Sequence, residues 1–338
     1  MTKTYDICGI GNALVDQQYK IPFETLETLG LTHGQMTLAT LDKQNTLLDF
    51  LADKQFPFIS SCGGSATNSL VASSSFGSSC IQLYRVANDN TGSTYRNNLT
   101  EFGVASHKPH AHDHDNLPTG SCVVLVTPDS QRTMSTYLGI SAHMTEPFIS
   151  ESTIAQSNVM YLEGYMVTNP DNFKTTLLAS QYAKQAQTKR ALSLSDPGIV
   201  THFYDAFLQL CESKMDLIFC NEAEALAFTK TNSLKEAETS LLTYTDTFVI
   251  TRGDHGALIY DGSQKHVIPG KTVKAIDTNG AGDIFAGAFL SALLKRDSYY
   301  EAGVFANEAA ALLVQQFGPR LSKEHYHGLL SFMSGNNP

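Results

Sequence analysis

Asp277-Thr278-Asn279-Gly280-Ala281-Gly282-Asp283 runs directly into Ile284-Phe285-Ala286-Gly287-Ala288-Phe289-Leu290, and the reading of this stretch decides the reading of the chain. Two glycines flank an alanine just before an apolar helical pattern. Small residues there allow a tight loop whose backbone N–H groups converge on an anion at a helix N-terminus. Asp283 falls in the first turn, where the helix dipole favours an ionised carboxylate. An anion cradle with a carboxylate beside it suits a base that takes a hydroxyl proton during in-line phosphoryl transfer. The same residues also fit an ordinary Gly-rich loop with a capping aspartate, so the remaining sequence has to choose.

A chain of 338 residues, 42% of them hydrophobic, is long enough for a large buried core in one α/β domain or two smaller ones. Its formal net charge of -10 argues against nucleic acid or an anionic membrane as partner. The N-terminus, Met1-Thr2-Lys3-Thr4-Tyr5-Asp6-Ile7-Cys8, has no basic region followed by an apolar run, and no run reaches the length of a membrane span. A soluble, cytoplasmic protein is expected. Cys8, Cys62, Cys80, Cys122, Cys211 and Cys220 are scattered without paired metal spacing, as reduced core thiols are.

A strand is expected at about 5–11, a small-residue helix at 65–75 after the turn Cys62-Gly63-Gly64, and a strand at 80–86. From Val159 onward, short apolar strands at 159–162, 191–194, 217–220 and 248–251 alternate with helical stretches. Such alternation predicts a mostly parallel sheet covered on both faces. One region breaks it. Residues 121–127 and 132–137 flank Pro128-Asp129-Ser130-Gln131 as a β-hairpin, and with extended residues after Asn12 they form a small separate sheet. His107, His110, His112 and His114, with Asp113 and Asp115, allow a metal site, but a solvated loop leading into the hairpin accounts for them more simply.

With Gly63-Gly64 near the amino end and Asp-Thr-x-Gly-Ala-Gly-Asp near the carboxyl end, the chain resembles the ribokinase-like, or PfkB, family of carbohydrate and nucleoside kinases from Gly9 to Arg320. The resemblance implies one doubly wound α/β kinase domain over residues 1–330, with segments 12–40 and 103–142 contributing a small β-sheet lid. No Gly-x-x-x-x-Gly-Lys-Ser/Thr loop is present, so a P-loop kinase is not supported. Gly9-Ile10-Gly11 lacks the third glycine of a dinucleotide fingerprint, which disfavours a dehydrogenase.

The resemblance places Asn12, Asp16, Gly64 and Asn68 against acceptor hydroxyls, where a carboxylate accepts and an amide both donates and accepts. It places Asn221 and Glu224 of Asn221-Glu222-Ala223-Glu224 near Mg2+ and its waters, Thr251 and Gly253 at the nucleotide, and Asn307 on a helix bordering the adenine. Read on their own, Asp16 fits a turn, Asn68 and Asn307 exposed helical amides, and Asn221 with Glu224 a helix capping box. Asp283 is implied as the base, with the amides of Gly280, Ala281 and Gly282 and the Arg132 guanidinium on the phosphoryl group. Asn279 stands where the family often has Thr, Ser or Ala. Arg132 on its own also fits a solvated turn residue.

Gly30-Leu31-Thr32-His33-Gly34-Gln35-Met36, Tyr161-Leu162-Glu163-Gly164-Tyr165 and Leu194-Ser195-Asp196-Pro197-Gly198 look more like the adenosine kinases of the family than its ribokinases. Gln35, Met36 and Tyr165 are then expected to border a purine. The expectation is an ATP- and Mg2+-dependent kinase acting on a nucleoside 5′-hydroxyl, adenosine first. A furanose sugar kinase and a catalytically silent ligand-binding sensor are the alternatives. A monovalent cation requirement is open, as is the choice between monomer and homodimer.

Overall fold

The computed structural model describes residues 3–107 and 116–333, with backbone only for the last two of these. Fourteen strands among the described residues form two sheets. The larger contains β1 (Tyr5–Ile10), β5 (Cys80–Leu83), β6 (Val104–Ser106), β9 (Ser157–Glu163), β10 (Lys189–Ser193), β11 (Met215–Asn221), β12 (Thr245–Thr251), β13 (Ala257–Tyr260) and β14 (Lys265–Ile268). Its order is β14-β13-β12-β11-β10-β9-β1-β5-β6. All neighbours are parallel except at the β12-β13-β14 end.

Alternation along each strand explains why helices cover both faces. Ile7, Val159, Tyr161, Leu217 and Phe219 enter one core with the helices Ser65–Ser75, Ala281–Arg296 and Tyr299–Leu313. Cys8, Met160, Leu162, Ile218 and Cys220 point the other way, into a second core with Pro170–Gln185 and Glu222–Thr229. A period of two with both sets apolar is what a doubly covered sheet requires. All six cysteines are free and buried, as reduced core thiols.

The smaller sheet runs β3-β8-β7-β2-β4, from Met36–Leu38, Arg132–Gly139, Thr119–Val126, Leu14–Lys20 and Phe58–Gly63. Its outer face packs Tyr19, Val123 and Leu125 on Leu26, Leu47 and Leu51 of two helices. Each such buried leucine contributes roughly 1.5–3 kcal/mol. Its inner face carries Leu14, Cys122, Val124, Met134 and Leu138. Two boundaries differ from the sequence expectation. Val104–Ser106 joins the edge of the large sheet instead of the small one, and Phe58–Gly63, outside both expected segments, supplies an edge strand.

The chain adds β5 and β6 on one side of β1, then β9 to β12 on the other, so the winding reverses between β1 and β9. Crevices open at the carboxyl ends of strands flanking such a reversal. The small sheet faces the same end.

Candidate active site

A cavity of about 610 Å³ lies there, bounded by the carboxyl ends of the parallel strands, the inner face of the small sheet and the Gly280 loop. Gly280 is the N-cap of the helix Ala281–Arg296 at φ 75°, a left-handed conformation that favours glycine. A side chain on it would also meet the Pro319 carbonyl at 2.5 Å, whereas one on Gly282 would meet nothing within 4 Å. The space above Gly282 therefore belongs to the cavity. Ala281, Gly282 and Asp283 line it; Ala281 N donates to the Thr278 carbonyl at 3.3 Å, and the amides that follow it in the first turn have no partner from the preceding turn of helix.

Asp283 is positioned by a close helix crossing. A Cβ on Gly287 would stand 2.2 Å from the Ser69 carbonyl oxygen, and Ser73 Oγ donates to the Gly287 carbonyl at 2.8 Å. The crossing brings the start of the helix Ser65–Ser75 to Asp283. Ser65 Oγ donates to its Oδ1 at 2.6 Å and Asn68 Nδ2 to its Oδ2 at 2.9 Å. Burial pushes the Asp283 pKa up; these two donors and the positive charges of Arg132 and Arg320 oppose it.

Asp16, on β2, is 6% exposed and lines the cavity as a strand residue, which replaces the turn reading. No hydrogen bond from the described residues reaches its carboxylate. Burial raises its pKa to about 7, against the pull of Arg320. Asn12 is different. Its Nδ2 donates to Glu163 Oε1 at 3.1 Å and its Oδ1 accepts from Asn172 Nδ2 at 3.0 Å, so much of its amide is used inside the protein. Glu163 is fully buried, also accepts from the Asn12 and Ala66 backbone N–H groups, and is raised by burial to about 7. Gly64, the N-cap of the helix Ser65–Ser75, lines the cavity with Asn68.

Along the strand ends, Tyr165 lines the cavity with its hydroxyl on the Ser195 carbonyl at 3.3 Å. Asn221 and Glu224 form the capping box that their spacing allows. Glu224 N donates to Asn221 Oδ1 at 2.8 Å, and Asn221 N and Nδ2 donate to Glu224 Oε2 and Oε1 at 2.9 and 2.6 Å. Both still line the cavity, and burial raises Glu224 to about 7. A carboxylate oxygen keeps a lone pair after one such bond, so this hard-oxygen pair fits the water shell of a hydrated Mg2+. Thr251, Gly253 and Asn307 line the far end, Asn307 Nδ2 donating to the Pro269 carbonyl at 3.0 Å.

Arg132 reaches from β8 to the Gly280 loop, donating to the Thr278 carbonyl and Asn279 Oδ1, both at 3.1 Å. Asn279 thus holds the arginine that the sequence left as a possible solvated turn residue. Met36 lines the cavity, but Gln35 does not. Gly34, in the turn before the strand, and Met36 and Leu38 within it line the cavity, while Gln35 between them is exposed and pairs through its carbonyl with Met134 N at 2.9 Å. The expectation of Gln35 in a purine pocket is corrected accordingly. Residues 108–115, with most of the His-rich stretch, lie outside the described residues; among the described residues no group of three or more His, Cys, Asp or Glu is placed to hold a metal.

Comparison with known proteins agrees with this geometry. The pattern of the pfkB family carbohydrate kinases matches residues 41–325. Ribokinase of Haemophilus influenzae is 28% identical over 80% of this chain and 87% of its own, and adenosine kinase 2 of Arabidopsis thaliana is 26% identical over 94% and 96%. Among solved structures, adenosine kinase of Sinorhizobium meliloti superposes with a TM-score of 0.88 at 28% identity, covering 96% of this chain and 98% of that one. A Rhizobium etli protein described as a probable sugar kinase gives 0.91 at 26% identity over the whole of both chains.

Proposed function

Because the chain belongs to the pfkB carbohydrate kinase family, and is a phosphotransferase with an alcohol acceptor, we propose that it transfers the γ-phosphate of ATP to the 5′-hydroxyl of adenosine. The observation that carries the acceptor assignment is the Asp16 carboxylate, buried and unbonded beside an apolar wall of Leu14, Met36, Leu38, Val124, Met134 and Leu138. A carboxylate accepts from vicinal ribose hydroxyls, and the wall gives a planar base apolar surface that a free sugar leaves unused. The adenosine kinases among the relatives and solved structures support that choice.

In the proposed reaction Asp283 accepts the proton of the attacking hydroxyl, held at the helix N-terminus by Ser65 and Asn68. Of the implied amides of Gly280, Ala281 and Gly282, that of Ala281 is engaged with the Thr278 carbonyl, so Gly280 and Gly282, joined by Asp283 N, are the ones assigned to the transferring phosphoryl group, with the Arg132 charge alongside. Asn221 and Glu224 would hold Mg2+ through its water shell, where the ion would supply charge that offsets the phosphates. The small sheet lies over the acceptor end as a lid that excludes water.

The furanose kinase reading draws on the ribokinase and Rhizobium etli relatives and differs chiefly in leaving the apolar wall empty. Product analysis separates the two. With ATP, Mg2+ and adenosine, phosphorus NMR should show a 5′-monophosphate, and 5′-deoxyadenosine should inhibit without being consumed. Turnover of ribose or fructose with inert adenosine would replace the nucleoside assignment.

A further inference from the structure

Arg320 lies outside the cavity lining, yet it touches the acceptor machinery from behind. Its Nε donates to Asn68 Oδ1 at 2.9 Å, the opposite end of the amide that donates to Asp283. A guanidinium carries donors alone, so it fixes which end of this planar amide faces the base. The arginine is itself clamped: its Nη1 donates to Asn98 Oδ1, and its guanidinium carbon stands 5.7 Å from the Phe102 ring centre. The remaining Arg320 nitrogen is buried without a hydrogen-bond partner among the described residues. Its loop is fastened to the anion cradle, because Gly318 N donates to Asp277 Oδ2 at 3.0 Å and Asp277 Oδ1 accepts from Asn279 N at 2.8 Å.

We propose that Arg320 is a positioning residue of the phosphoryl-transfer site: it locks the Asn68 amide against Asp283 and supplies the standing positive charge that keeps the Asp16–Asp283 pair usable as acceptors. Arg132 is the other cation facing both carboxylates, but it is engaged with Thr278 and Asn279 at the cradle, where the phosphoryl group claims its charge. Arg320 has no such second duty. Asp16 faces Arg320, Arg132 and Asp283. Asp283 faces Ser65, Asn68 and both arginines, and its charge is felt by Asp16, Glu163, Glu224, Tyr161 and Tyr165. The cavity edge is therefore rich in acid, and loss of the half-buried Arg320 charge should be felt by the two carboxyls it faces, Asp16 and Asp283.

This inference rests on the kinase reading for its kinetic consequence but not for its electrostatic one, and two measurements keep them apart. In full-length protein carrying carbon-13 aspartate, assigned with Asp16→Asn and Asp283→Asn, Arg320→Met should raise the Asp16 and Asp283 titration midpoints by about one unit. Arg320→Lys, which keeps the charge without the planar fork, should leave them near wild type. With ATP, Mg2+ and the preferred acceptor, Arg320→Met should lower kcat about tenfold or more, move the acid limb of the rate profile upward by the same unit, and leave the ATP KM within about twofold. Arg320→Lys should restore the limb but only part of kcat. Midpoints and acid limb unmoved in Arg320→Met, or a rate loss with no shift of the limb, would overturn the proposal. A wild-type protein inert with ATP and every acceptor would remove the kinase reading and leave the carboxyl titration to decide this one.

Discussion

At the acceptor end of the cavity Asp283 is held by Ser65 and Asn68, Asn68 by Arg320, and Asn12 by Glu163 and Asn172, whereas at the donor end Asn307 has one bond to a backbone carbonyl and the Gly253–His255 turn buries none of its residues. The difference fits what the proposed reaction asks of each end. A proton and a phosphoryl group move at one end, where an error of about 1 Å costs on the order of a hundredfold in rate. A nucleotide base and ribose only have to be seated at the other, and backbone and one helix side suffice. Preorganisation is concentrated where the proposed chemistry takes place.

The largest effect should come from removing the base. Asp283→Asn keeps the size and the bonds to Ser65 and Asn68 in outline, and should cut turnover by about a hundredfold or more with ATP affinity retained. Near-normal turnover in a folded variant would break the comparison at its centre. Next comes Asp16→Ala, which should lower acceptor kcat/KM by about tenfold to a hundredfold while the ATP KM moves little. Asp16 also carries a pH signature. Burial raises its pKa to about 7, so the hydroxyl-accepting ionised form, and with it kcat/KM for the acceptor, should be lost as pH falls through that value. Asp16→Asn should remove that limb from the residual activity.

Gly287→Ala tests whether the grip on Asp283 depends on the helix crossing. The added carbon meets the Ser69 carbonyl, so the helices must part, at a cost of about 1–3 kcal/mol in urea unfolding and with a fall in kcat. Stability lost with kcat unchanged would mean that the crossing does not position the base. The smallest effect is expected at the donor end: Asn307→Ala should raise the ATP KM only a few-fold, with the acceptor KM and kcat close to wild type.

Much of this was legible in the sequence. The helix Ser65–Ser75, the strands of the large sheet and the hairpin of the small one follow from hydrophobic period and turn residues. Phe58–Gly63 escaped because Phe58, Ile59 and Ser60 are exposed and no alternation marks the strand. Gln35 was misplaced because it sits between the left-handed turn at Gly34 and the start of the strand at Met36, where nothing in the sequence says which way its side chain faces. Glu163 and Arg320 were quoted only as parts of motifs. Their partners lie 97 and 252 residues away, at Ala66 and Asn68, and only the fold brings them together. A glutamate ending an apolar strand was the signal available for the first.

The central claim, that the apolar wall and the Asp16 carboxylate together select a nucleoside, is tested most directly by kcat/KM of the wild-type enzyme for adenosine against ribose, with ATP and Mg2+ saturating above pH 7. A ratio of at least about a hundred is predicted, since stacking and burial of a base supply several kcal/mol that a bare sugar lacks. A ratio below one would contradict the account.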